Sequence, residues 1–321
     1  MSVASPVRRG SGPATTAPSQ APRPQSRRRR LREFRWWVPY LFMAPILVLF
    51  AVFFAWPAVL ALQLAFYDYS VVNPTVWVGW DNFARMMSDA RLGQAALNSL
   101  VYLVGLLPLT VVIPLLLAVL LNQKLRAIGV YRFLYYLPVV TSMVAVAVAW
   151  RYVFHDLGMI NWMLTSIGLI DQPVQFLLDQ DSAIWALILV EGWKSMGSYM
   201  LIYLAGLQAI PSDLYEAARI DGAGPVRRLR HVTVPLMAPY LLVTLTLEMQ
   251  DATQVFTSIY VLTGGGPADS TLSLGYYIWS LAFEHFQMGY ASAISLVLWL
   301  VLIVMAVGNY AVSKSRYLAT S

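Results

Sequence analysis

Two short sets of polar residues stand inside stretches that are otherwise apolar. Glu191, Lys194 and Ser198 follow one another at i, i+3 and i+7, which puts them on one face of a helix, with Ser195 and Tyr199 alongside. Glu248 and Asp251 repeat the i, i+3 spacing, with Gln250, Thr253 and Gln254 nearby. Carboxylates, amides and hydroxyls placed this way can hydrogen-bond a polyhydroxylated solute, while Trp193, Tyr199 and Phe256 offer flat rings to its apolar faces. A purely structural reading also exists, in which Glu191 and Lys194 neutralise one another and the acids at 248 and 251 meet a partner chain.

What must position these residues is set by the solvent of the chain. With 321 residues, 59% of them hydrophobic and only 12% charged, there is too little charge to cover a water-soluble globule. The expectation is an all-α membrane protein. Six charge-poor stretches, 38–66, 95–121, 133–150, 183–210, 232–260 and 288–312, come near or exceed the roughly 20 residues that a spanning helix needs. A seventh, 271–283, is too short on that criterion and reads as an interfacial or re-entrant helix. Both polar sets then fall well inside spans four and five, where charge is costly and faces a cavity or a partner.

Basic residues give the orientation. Nine arginines precede the first span, Lys124, Arg126 and Arg132 lie between spans two and three, Arg219, Arg227, Arg228 and Arg230 between four and five, and Lys314 and Arg316 after six. The opposite loops hold Arg85, Arg91 and Arg151 beside nine acids, so both termini are expected in the cytoplasm. The net charge of +6 reflects this topology and not nucleic-acid binding. Residues 1–35 read as a disordered basic tail that faces anionic lipid, since the prolines at 6, 13, 18, 22 and 24 argue against an amphipathic presequence and the run after Arg35 is too long for a cleaved signal peptide. The expected organisation is that tail, a first transmembrane helix over 36–70, a core of five helices over 71–313, and a cytoplasmic end over 314–321.

Several chemistries are missing. The nearest string to a phosphate-binding loop, Gly192-Trp193-Lys194-Ser195, lies inside a span and cannot wrap phosphate, so the chain is not expected to hydrolyse ATP itself. His155, His231 and His285 stand in three separate loops, no zinc-protease or nucleophile-elbow pattern occurs, and no metal or catalytic residues are assigned. The absence of cysteine removes disulfides and thiolate metal sites.

Between spans four and five, residues 211–235 are polar. Pro211-Ser212-Asp213 supplies a break and a helix start with Ser212 as the expected cap, and Gly222-Ala223-Gly224-Pro225 ends that helix. A basic segment then leads to Pro235. The expectation is a short helix along the inner face of the bilayer, its turn held out as a knob.

Glu216-Ala217-Ala218, three residues, Gly222, nine residues, Val232, one residue and Val234-Pro235 resemble the EAA loop of ABC importer permeases, EAA-x3-G-x9-I-x-L-P, with valine in place of isoleucine and leucine. Asp221-Gly222-Ala223 matches the DGA of sugar-importing members. Trp56-Pro57, LAFYDY (64–69), VGWDNF (78–83), Asn98-Ser99-Leu100, YRFLYYLPVV (131–140) and YVLTGGGP (260–267) are similar, in order, to the maltose/glycerol-phosphate-type permeases. The resemblance implies a type I importer permease fold of six helices in a prokaryotic inner membrane. It also implies that Glu216, Ala217, Ala218, Asp221, Gly222, Ala223 and Pro235 belong to a coupling helix docked on a cytoplasmic ATPase. The implied partners are a second homologous permease, two ATPase subunits that bind ATP and Mg, an extracytoplasmic solute-binding protein and membrane lipid, with no cofactor on this chain. The implied cargo is a sugar, or alternatively glycerol phosphate, a polyol or another solute; a non-transporting scaffold subunit is the rival reading.

Overall fold

The computed structural model describes residues 37–71, 74–123 and 126–318. The tail expected over 1–35 and Lys124 lie outside them. The chain divides between Trp56 and Pro57 into two units. Within the first, α1 (Val38–Phe50) runs into a π-helical turn, Ala51–Ala55, and Phe42, Phe53 and Phe54 are mostly exposed.

Among the described residues of the second unit, the elements are helices joined by loops and one small antiparallel pair, β1 (Tyr67–Asp68) with β2 (Val76–Trp77). Around this pair stand α2 (Trp56–Leu64) and α3 (Asp81–Met86). The Asn82 amide donates to the carbonyls of Ala65 and Tyr67 at 2.9 and 3.0 Å, joining the LAFYDY and VGWDNF segments. Next come α4 (Ala90–Leu107), α5 (Ile113–Leu121), α6 (Ile128–Val140), α7 (Met143–Val153), α8 (Met159–Ser166) and α9 (Ala183–Ala209). The inner loop holds α10 (Ser212–Ile220), α11 (Pro225–Arg228) and α12 (Val234–Leu236). Then follow α13 (Ala238–Thr253), α14 (Thr257–Leu262), α15 (Leu274–Phe283) and α16 (Met288–Leu318), so the last helix continues past the boundary expected at 313.

Three π-helical turns, Ala51–Ala55, Pro108–Val112 and Leu229–Thr233, each end two residues before a proline: Pro57, Pro114 and Pro235. Proline has no N–H and its ring crowds the carbonyl four residues back. Widening the preceding turn to i→i+5 bonds, as in Trp56 to Ala51, Ile113 to Pro108 and Val234 to Leu229, carries the helix through that conflict.

Among the described residues, three helical segments are long and apolar enough to cross a membrane: Tyr40–Leu64, Ala90–Leu121 and Met288–Ala311. Two bent pairs raise that to five if each is one span: Ile128–Val140 with Met143–Val153, bent by 98°, and Pro225–Leu236 with Ala238–Leu262, bent by 69°. The third and fifth expected spans are therefore broken rather than straight. The fourth expected span, 183–210, folds as α9, 27 residues long and so about 40 Å at the helical rise; with Glu191 and Lys194 in its length it is not among these five. The apolar stretch 271–283 yields the ten-residue α15, whose Tyr276, Tyr277 and Leu281 are buried in the protein core.

At one end of the bundle the start of α4 is fastened to α15 and α16. Asp89 caps α4 by accepting from the amides of Arg91 (3.0 Å) and Leu92 (3.1 Å), and it accepts from the hydroxyls of Tyr277 and Tyr290 at 2.7 Å each. Burial alone would raise the Asp89 carboxyl, but the two tyrosine hydroxyls and the two amides together hold it below its ordinary value. A depressed folded-state pKa stabilises above the ordinary carboxylate range, and the contribution is lost only as pH falls below that range. Asp89→Ala is therefore expected to cost roughly 4 kcal/mol, from a cap of about 1 and two hydrogen bonds to a charged group of about 1.5 each. Thermal unfolding of the purified chain at neutral pH checks this, and an unchanged Tm would remove the fastening role.

The polar face of α4 carries the following turn. Asn98 donates to the carbonyls of Asp269 (2.8 Å) and Leu272 (3.0 Å), Tyr102 donates to Thr271 (3.0 Å), and the Ser99 hydroxyl accepts from the Leu274 amide (3.0 Å). Arg91 adds a two-pronged pair with Asp269 at 3.0 and 2.8 Å. These bonds fix residues 269–274, and with them the entry to α15.

Candidate functional site

Helix α9 packs against α4, α5, α6 and α13. At Gly197 a Cβ would run into the Tyr135 carbonyl oxygen, so glycine is what lets α9 and α6 approach backbone to backbone. This packing aims Glu191, Lys194 and Ser195 of α9 toward the end of α13.

There the helix breaks. Residues Gln254–Phe256 are not helical, and α14 starts afresh at Thr257. The break is held from outside: Ser273 donates its hydroxyl to the Val255 carbonyl, and Gly275 sits so close that a Cβ would be 3.1 Å from Gln254 Cα. Beside the break lies a cavity of about 380 Å3 whose polar lining is Glu191, Lys194, Ser195, Glu248, Asp251 and Gln254. Leu106, Met143, Val255, Phe256 and Thr257 complete it.

The cavity is graded in depth. Glu248 is 1% exposed, and its Oε1 has no hydrogen-bond partner among the described residues. Glu191 is half-buried and accepts from the Ser258 hydroxyl. Asp251 and Gln254 are exposed at the mouth. Three carboxyl groups and one ammonium thus face one space, with an amide and the hydroxyl residues Ser195 and Thr257 between them.

Of the seven pathway residues expected from the sequence, the fold brings together Glu191, Lys194, Glu248, Asp251 and Gln254 around this cavity. Ser198 is half-buried off it, and Tyr199 is buried behind it, donating its hydroxyl to Asp251 Oδ2 at 3.1 Å. The rings also sort differently from expectation. Trp193 turns away and meets Trp150 edge-on at 5.6 Å, so of the three expected platforms only Phe256 lines the space. Phe256 is itself steadied by Tyr260, Tyr276 and Trp279, whose ring centres lie 5.2 to 5.7 Å away. Ser258 and Met143 do not stand out in the sequence. For Ser258 a signal exists: it stands one helical turn past Gln254, but only the break turns it toward Glu191.

The inner loop folds as a helix, a turn and a second helix. Helix α10 carries Glu216, Ala217 and Ala218, but Pro211 occupies its cap position and no side chain caps it, so Ser212 does not play the expected role. Asp221 ends the helix, Gly222 takes φ +75°, and the Ala223 amide bonds back to the Ala218 carbonyl at 2.9 Å. Among the described residues no heavy atom lies within 4 Å of a Cβ built on Gly222, so the constraint there is the backbone angle, not space. Glu216, Ala217, Asp221 and Gly222 are exposed, and Ile220 is 87% exposed. Tyr215 shares a 3.1 Å hydrogen bond with Thr233, which ties α10 to the π-helical turn that precedes Pro235.

Comparison with known proteins places this architecture. Residues 83–316 match the family model for the binding-protein-dependent transport system inner membrane component. A probable ABC transporter permease protein YesP of Bacillus subtilis strain 168 is 37% identical over 270 residues, 83% of this chain and 86% of that protein. The lactose transport system permease protein LacF of Rhizobium radiobacter is 33% identical over 281 residues, 86% of this chain and 94% of that protein. The crystal structure of a bacterial alginate ABC transporter in complex with an alginate pentasaccharide-bound periplasmic protein contains a chain that superposes with a TM-score of 0.74 at 26% identity, over 87% of this chain and 95% of that one. The chain belongs to the family of binding-protein-dependent transport system inner membrane components.

Proposed function

We propose that this chain is the membrane-spanning permease subunit of an ATP-driven importer and that it passes a sugar through the cavity beside the α13–α14 break. The observation that carries the reading is that cavity: about 380 Å3, within the range of small-molecule sites, and lined by amide, hydroxyl and carboxyl groups with one flat ring. Such a lining exchanges hydrogen bonds with sugar hydroxyls as a solute leaves water. Its mouth at Asp251 and Gln254 is where a second, homologous permease closes the pathway. The lactose permease and the alginate transporter among its relatives support a carbohydrate cargo, and the periplasmic protein of the latter supports delivery by an extracytoplasmic binding protein. ATP and Mg belong to two cytoplasmic subunits that grip the knob formed by Glu216, Ala217, Ala218, Asp221, Gly222 and Ala223. Pro235 starts the helix that receives the motion.

The experiment is coexpression with the neighbouring transport genes. The purified complex is expected to hydrolyse ATP faster when loaded binding protein is added, and vesicles containing it to take up sugar; a complex that does neither is a scaffold. Orientation has its own test, because the chain has no native cysteine. Single cysteines replacing Ser19 and Ser315 are expected to react with an impermeant thiol reagent only from the cytoplasm, and those replacing Asp171 or Asp269 only from outside. Outside labelling at Ser19 would reverse the assignment of sides.

A further inference from the structure

A second cavity, larger than the first at about 520 Å3, lies behind α10 among the ends of α5 and α9, α11 and the π-helical turn that precedes Pro235. Its polar lining is Asn122, Gln123, Tyr215, Arg219, Arg228 and Thr233, with Val119, Leu207 and Leu229 as an apolar wall. No acid is among its lining residues. Arg219 comes from α10 and Arg228 from α11, so two guanidinium groups reach one space from separate elements. Arg228 Nε is buried with no hydrogen-bond partner among the described residues. Among the described residues Arg219 is held only by Glu216, at 3.9 Å with both side chains more than half exposed, a weak pair. Asn122 and Gln123 add neutral donors at the end of α5, where Arg132 braces the Leu121 carbonyl at 3.1 Å.

A permanently charged, partly desolvated guanidinium with an unused N–H calls for an anion with several acceptor oxygens, and a phosphate group matches the fork of donors that arginine presents. We infer that this cavity binds a phosphate group between Arg219 and Arg228, carried either by an anionic lipid headgroup or by a soluble phosphate. The apolar wall suits the first source, since basic pockets at the inner ends of membrane helices take anionic headgroups. Once bound, the phosphate bridges α10 to α11 and to the end of α5, and it stiffens the base of the knob without touching its exposed tip. Neither the site nor its test depends on which solute is carried.

The test uses the purified full chain in phosphatidylcholine-containing micelles, titrated with phosphatidylglycerol or, separately, with inorganic phosphate, and reads the thermal unfolding midpoint. Phosphatidylglycerol is expected to raise Tm, and Arg228→Gln or Arg219→Gln to shift the half-saturating lipid concentration upward by about tenfold. Arg228→Lys is expected to recover part of the loss. Arg227→Gln and Arg230→Gln, which remove the same charge from exposed positions of the same loop, are expected to change it by less than about twofold. Inorganic phosphate reproducing the shift, with loss in the same two variants, identifies a soluble source; a shift with phosphatidylglycerol alone identifies the lipid. No shift with either probe overturns the site, as does equal weakening by Arg227→Gln and Arg228→Gln. If Arg228→Gln does not fold, Arg219→Gln carries the comparison, because its side chain is 58% exposed.

Discussion

Gly222→Asp is expected to abolish uptake, by more than tenfold, while the protein still inserts in the membrane at its normal level. The glycine sits at φ +75°, and a side chain in that region costs roughly 1–2 kcal/mol, less for Asp, whose short polar group tolerates it. Such a cost bends the turn but does not unfold the chain, because none of the described residues packs on Gly222. On the proposed reading the effect arises where the knob would meet an ATPase subunit, where a new charge and a new Cβ must be accommodated. Glu216→Lys separates the same causes another way. The Glu216 side chain is 64% exposed and its one ion pair, with Arg219, is long, so the chain itself loses little. Reversing that charge is nonetheless expected to reduce uptake about as strongly. Uptake, membrane abundance and copurification of the ATPase are measured on both variants. Full transport with the ATPase still bound in both would take the coupling role away from α10.

The legibility of α10 in the sequence reflects strong local punctuation. Pro211, the Gly222-Ala223-Gly224-Pro225 run and Pro235 act on their own backbone, so the helix and its turn follow from chain-local physics, whereas the second helix, α11, reads only as a basic segment. The cap does not follow, because Pro211 and Ser212 compete for one position and only the observed φ and ψ decide between them. Breaks in the expected spans divide on the same line. The bend between α6 and α7 has Pro138 three residues before it, and the bend before α13 has Pro235 and Pro239 around it. The break at Gln254–Phe256 has neither proline nor glycine. It is imposed by α15, through the Ser273 hydroxyl and the close approach of Gly275, and contacts of that range are invisible to a reading of one segment at a time. Helical spacing correctly puts Glu191 and Lys194 on a common face. It overreaches at Ser198, since a seven-residue step is two turns, about 10 Å along the axis, and the cavity does not extend that far.

Truncating the cavity mouth is expected to weaken transport several-fold without loss of protein. Asp251 and Gln254 are exposed, so replacing either by Ala opens no void in the core, unlike a change at Glu248, which is 1% exposed. Losing one hydrogen bond to a sugar hydroxyl costs on the order of 1 kcal/mol, a factor of about five, and more where a charged partner is stranded. Asp251→Ala is the stronger of the two, because it also leaves the Tyr199 hydroxyl without its 3.1 Å acceptor. Tyr199→Phe is expected to produce a smaller part of the same loss, and Ser198→Ala none, since Ser198 does not line the space. ATPase stimulation by loaded binding protein should survive in all four, because α10 and its turn are unaltered. A structural role at the permease interface gives another pattern, with the second permease missing from the purified complex or this chain missing from the membrane. Uptake, subunit recovery and stimulated ATPase measured on the same four variants distinguish the two, and normal uptake in Asp251→Ala and Gln254→Ala alike would remove the sugar path from this cavity.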